Sequence, residues 1–122
     1  HYFDEPLYTE RSKAMLSQVE NELTSGGPYY ANWQILYGLI THGLFEVAIL
    51  GNEAAKKSRE IQKHFTPNAI FMGGTEENLG LLENKLVSGR TLTYVCLNKV
   101  CQLPVEETED AVNQLSKGAL IK

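Results

Sequence analysis

The chain has 122 residues, 43% of them hydrophobic and 21% charged, which suits one globular domain with its own core or a small domain with an appendage. A net charge of −4 argues against binding a phosphate backbone, which needs a clustered basic face, so no nucleic-acid partner is expected. No apolar run approaches the roughly 20 residues that span a bilayer, no signal-peptide pattern opens the chain, and two cysteines are too few for a secreted disulfide scaffold. A cytoplasmic protein with no membrane partner is expected.

The first segment, HYFDEPLYTERSKAMLSQVENEL, reads as a helix. Asp4 suits an N-cap, and Pro6 suits a first turn, where its missing N–H costs nothing. Met15, Val19 and Leu23, with Leu16 beside them, give one apolar stripe. TSGGPYY ends this helix, since Gly26 and Gly27 permit positive φ and Pro28 can restart a helix. In the next helix, YYANWQILYGLITHG, the side chains of Tyr30, Trp33, Ile35, Leu36, Tyr37, Leu39 and Ile40 leave little polar surface. Such a helix expects neighbours on several sides, and one partner helix cannot supply them. Residues 1–43 are therefore expected to be a helical hairpin belonging to a larger helical body. This helix is expected to bury one side on the α/β unit and leave a patch around Trp33, Tyr37 and Ile40, or to self-associate through it.

From Phe45 onward strands alternate with helices. FEVAILG and TPNAIFMGG are short apolar runs ending in glycine, as buried strands do. Between them NEAAKKSREIQKHF places Ala54, Ile61 and Phe65 on one face, with Asn52 as N-cap, so a βαβ unit with parallel strands is expected. TEENLGLLENKLVSG follows as a further helix, capped by Thr75, with Leu79, Leu82 and Leu86 on one face and Gly80 weakening it by roughly 1 kcal/mol relative to Ala. Two strands and a final helix, EETEDAVNQLSKG, close an α/β unit over residues 44–122, of α+β character at its terminal hairpin.

That hairpin, RTLTYVCLNKVCQLPV, carries both cysteines. With Asn98-Lys99 as a two-residue turn, Leu97 pairs with Val100 and Cys96 lies opposite Cys101, both sulfurs on one face. A cross-strand disulfide is sterically accessible, though it closes a very short loop. A reducing compartment favours instead two reduced thiols that pack the hairpin against the final helix through Val112 or Leu115. A redox or metal role is the weakest of the three readings, because a mid-strand cysteine has no helix N-terminus to stabilise a thiolate.

Little else reads as chemistry. His1, His42 and His64 are not spaced as ligands with each other or with a cysteine, so no metal site is expected. No nucleophile elbow or acid/base pair is visible, and Glu76, Glu77, Glu106, Glu107, Glu109 and Asp110 suit the first turns of two helices. No catalytic residue and no cofactor are expected. Two strand-to-helix loops, LGNEAA and MGGTEEN, fall where open α/β sheets bind ligands, making Gly51, Asn52, Gly73, Gly74 and Thr75 weak anion-site candidates. Neither has a dinucleotide or P-loop signature, and the glutamates that follow would repel phosphate.

GPYYANWQILYGLI, FEVAILGN, HFTPNAIFMGG and TYVCLNKVCQLPVEETEDAVNQL, in this order, resemble the C-terminal end of the YyaL-like, spermatogenesis-associated thioredoxin-domain-containing proteins. The most specific part is the hairpin with Cys96, Cys101, Gln102, Pro104 and Val105. The resemblance implies a longer parent chain with an N-terminal thioredoxin-like domain and an (α/α) barrel like those of six-hairpin glycosidases and sugar epimerases. Residues 1–43 would be the last helices of the barrel and residues 44–122 a C-terminal α/β unit. The partner would be the rest of the parent chain, whose active residues match nothing here. The element order is also that of a thioredoxin-like core, but the helix that would carry a dithiol reads GNEAAK and has no cysteine. Two functions follow as expectations. One is a non-catalytic accessory or interaction module. The other is a fragment of an enzyme acting on a carbohydrate or thiol-linked substrate, whose catalytic residues lie upstream.

Overall fold

A computed structural model of the chain describes residues 5–118. These residues divide into two compact units at the Gly43–Leu44 junction.

The first unit is helical. Helix α1 spans Pro6–Ser17, with Pro6 in its first turn, and the Glu5 carboxylate accepts the Leu7 amide proton at 3.4 Å. Asp4, the expected cap, lies outside the described residues. The helix stops short of the expected stripe: Val19 has left helical geometry, and a 3-10 turn at Glu20–Glu22 carries the chain to Leu23. Leu16 and Leu23 are buried, whereas Met15 is exposed. Gly27 takes φ +52 in the break, and a 3-10 turn over Gly27–Tyr30 runs into α2, Ala31–His42. The Gln34 side-chain amide donates to the Leu23 carbonyl at 2.6 Å, tying α2 to the end of the 3-10 turn that follows α1. No residue of α2 is buried, and Ile35 and Tyr37 are exposed.

The second unit is a mixed α/β fold built on a four-stranded sheet of order β2-β1-β3-β4. Strands β1 (Phe45–Leu50) and β2 (Ala69–Gly74) are parallel, in register from Phe45 opposite Ala69 to Leu50 opposite Gly74, as the sequence predicts. Strand β3 (Leu92–Leu97) runs antiparallel to β1, and β4 (Val100–Cys101) antiparallel to β3. Every residue of β1 is buried, which explains why all of them but Glu46 are apolar. Helices α3 (Ala54–Ile61) and α4 (Thr108–Gly118) share one face. There Phe45, Val47, Ile49 and Val95 meet Ala54, Ile61, Ala111 and Leu115. At about 1.5–3 kcal/mol for each large apolar side chain removed from water, this layer is the main stabilising element of the unit. The opposite face gathers Ala48, Leu50, Met72 and Leu82, with Tyr94 packed beside them.

Three expectations fail here. Asn52 does not cap α3. The cap position is Glu53, whose amide donates to the Thr91 hydroxyl at 3.2 Å rather than to a side chain of its own helix. Phe65 is 93% exposed, because the helix ends at Ile61 in tight turns and never reaches it. The helix expected after Thr75 is only a 3-10 turn at Gly80–Leu82. Leu82 is buried as expected, but Leu86 is exposed and Asn84 sits at φ +59, which a helix cannot hold. Instead, Glu77 accepts the amide protons of Lys85 at 2.7 Å and Leu86 at 2.6 Å, while the Tyr94 hydroxyl donates to the Lys85 carbonyl at 2.8 Å.

Candidate functional site

The carboxyl ends of β1 and β2 open onto a cleft of about 820 Å³ within the α/β unit. Gly51, Asn52 and Thr75 line it. Gly73 and Gly74 line a separate hollow of about 280 Å³ that shares only Thr75 with the cleft. The five candidates of the two loops are thus divided between neighbouring depressions.

Gly51 is required where it stands. It has φ +131, and a Cβ there would come within 2.4 Å of the Arg90 carbonyl oxygen. Its amide donates to the Gly74 carbonyl at 2.9 Å, extending the parallel ladder to the lip of the cleft. Gly73 is required for a different reason: a Cβ would lie 1.9 Å from the Ile49 carbonyl oxygen of the adjacent strand.

The charged lining comes from elsewhere in the chain. Lys57 reaches in from α3, Arg90 from the approach to β3, and Glu53, Glu106 and Glu107 complete the charged set. Both cations are engaged: Arg90 Nε donates to the Glu106 carboxylate and Lys57 Nζ to the Glu106 backbone carbonyl. With these cations held and further carboxylates in the wall, the cleft is poorly suited to a phosphate. Its hydroxyl and amide groups at Asn52, Thr75, Ser88 and Thr91 fit hydrogen bonding to an uncharged polar molecule better. Neither Lys57 nor Arg90 carries a local motif, so the sequence offered no signal for them.

The second candidate site is the hairpin. Asn98 and Lys99 take φ +51 and +67, the two-residue turn expected from the sequence, and Cys96 pairs with Cys101 across β3 and β4. The two are joined as a disulfide, where the sequence reading favoured reduced thiols. Nor do they pack on α4. Val95 and Leu97 face α4 with Ala111 and Leu115, so alternation turns Cys96 to the opposite face of the sheet. There Cys96 is 4% exposed and in register with Glu46 of β1, also buried, whose carboxylate accepts the Lys99 amide proton at 3.1 Å. Cys101 is exposed.

Among the described residues, no cluster of three or more His, Cys, Asp or Glu is placed to hold a metal ion, and His42 and His64 are exposed. No helix among them is long and apolar enough to cross a membrane. Comparisons with protein-family models, curated proteins and solved structures return no match for this chain.

Proposed function

We propose that this chain is a non-catalytic accessory or interaction module of a longer protein, in which the α/β unit is the folded anchor and the helical unit presents an apolar surface to a larger helical body. The observation that carries this reading is α2, a helix rich in large apolar side chains and without one buried residue. A helix of that composition is stable when several neighbours cover it. The four-stranded order β2-β1-β3-β4, with β1 and β2 parallel, supports the thioredoxin-like comparison, while the lost helix after β2 departs from it. Both bear on the resemblance to the YyaL-like family, in which such a unit would follow a helical barrel.

The test compares amide hydrogen exchange of residues 31–42 in this chain and in the longer natural protein. A large gain of protection in the longer protein is expected. Equal protection in both would overturn the reading. The polar cleft at the strand ends favours a second reading, a portion of an enzyme acting on a carbohydrate or thiol-linked substrate. Sugar-isomerising or dithiol-reducing activity in the longer protein, absent from this chain assayed beside it, would support that reading, with the catalytic residues lying upstream.

A further inference from the structure

The hairpin segment that the disulfide fastens has an unusual property. Every residue from Asn98 to Pro104 is exposed, including Val100 at 75% and Leu103 at 83%. No burial of its own side chains holds this segment on the sheet edge. Its attachments include the backbone bond from Gln102 N–H to the Val95 carbonyl at 2.9 Å, the bond from Lys99 N–H to the buried Glu46 carboxylate, amide contacts with α4 through Gln114, and the disulfide. The two sulfurs are also unequal: Cys96 is buried and Cys101 exposed. Thiol–disulfide exchange proceeds by attack along an accessible approach to one sulfur, so exposure selects which sulfur is attacked.

We infer that the Cys96–Cys101 disulfide is an exchange site for external dithiols, attacked at Cys101, and that its reduction frees the 98–104 segment from the edge of β3. The thiolate of a dithiol attacks Sγ of Cys101, the S–S bond breaks, and Cys96 leaves as a thiolate. The Cys96 thiolate then takes up the proton that the attacking thiol lost. The second thiolate of the dithiol then displaces Cys101 from the mixed disulfide, and Cys101 is protonated in turn. The dithiol is oxidised by two electrons to its cyclic disulfide, and the protein gains two thiols. Beyond the staple, the bridge of Thr93 with Val105 stays in place through its own pair of bonds at 2.8 and 3.0 Å. Opening is therefore local, and it leaves the outer backbone groups of β3 near Val95 and Leu97 free to pair with another extended chain.

Two measurements test this. The intact protein is equilibrated in dithiothreitol redox buffers without denaturant, and amide exchange is followed in each state. Reduction of one disulfide, with loss of protection at Gln102 and retained protection at Thr93 and Val105, is expected. Reduction achieved only in denaturant, or reduction that leaves Gln102 protected, would overturn the proposal. Single variants then report the asymmetry. Cys101 in Cys96→Ser should react with an aromatic disulfide reagent roughly tenfold or more faster than Cys96 in Cys101→Ser, as access controls such reactions. Equal rates would overturn it. If either variant fails to fold, the mixed disulfide that the intact chain forms with a monothiol, trapped by acid and located by peptide mass, decides: Cys101 is expected to carry the adduct, and an adduct on Cys96 would overturn the proposal.

Discussion

At the scale of single residues, the tight turn shows how a backbone requirement is met imperfectly. Asn98 tolerates the left-handed region because its short polar side chain offsets part of the steric penalty, whereas Lys99 at φ +67 is a long side chain that carries that penalty in full. The position is held because the turn joins two paired strands and because the Lys99 amide bonds to Glu46. Lys99→Gly keeps that amide and removes the strain on Cβ. Although glycine also gains freedom in the unfolded chain, relief of the left-handed penalty of about 1–2 kcal/mol should dominate. Lys99→Gly should therefore be more stable than Lys99→Val by roughly 1–2 kcal/mol, read by chemical denaturation. Equal midpoints for the two variants would show that the turn conformation does not limit the hairpin.

At the scale of elements, the contrast between the hairpin and the 75–90 connection shows what a sequence discloses. The strands and turn were legible because each depends on local chemistry: apolar runs closed by glycine, and an Asn at the first turn position. The βαβ unit was legible for the same reason. The connection was not, because Leu79, Leu82 and Leu86 carry a helical spacing that the backbone breaks at Leu79, Glu83 and Asn84. What holds it instead is Glu77, which reads in the sequence as a first-turn helix acid. In the fold it accepts amide protons eight and nine residues ahead. The cleft residues Lys57 and Arg90 were hidden likewise, since only the fold brings them to Glu106. The disulfide was sterically legible but was set aside on an argument from compartment, which is not a property of the hairpin.

Glu77 also gives this element a pH dependence. Bonds from the Leu86 and Lys85 amides hold its carboxyl below the ordinary value of 4.5, with burial opposing them and the Lys85 charge assisting. A depressed pKa means that the unfolded connection binds the proton more readily. The stabilisation is present in full above the ordinary value and is lost as pH falls through the depressed one. Below pH 4.5 the Lys85 and Leu86 amide resonances should therefore move together as the loop releases, and in Glu77→Gln they should not titrate. Persistence of the same titration in the variant would assign it to another carboxylate. Tyr94, raised mainly by burial and then by the Glu77 charge, stays neutral throughout this range and keeps its bond to Lys85.

At the scale of the whole molecule, burial is divided unequally between the two units. The α/β unit holds β1 wholly buried and a layer with Val47, Val95, Ile61 and Ala111 at 0% exposure. Among the described residues of the helical unit only Leu16 of α1 and Leu23 after it are buried, and α2 has nothing buried. Isolated helices of 12 residues are marginal in water, since nucleation is costly and a single stretch repays little of it. The helical unit should therefore open at a much lower free energy than the sheet. Native-state exchange should find the amides of β1 and β3 among the slowest and those of α2 among the fastest within regular structure. Ile61→Ala leaves a cavity between α3 and the sheet and should cost about 2–5 kcal/mol. That loss should speed exchange in β1 and β3 while leaving α2 unchanged, because α2 already exchanges through its own local opening. A matching acceleration in α2 would mean that the two units unfold as one cooperative body, and the division of stability argued from burial would then be wrong.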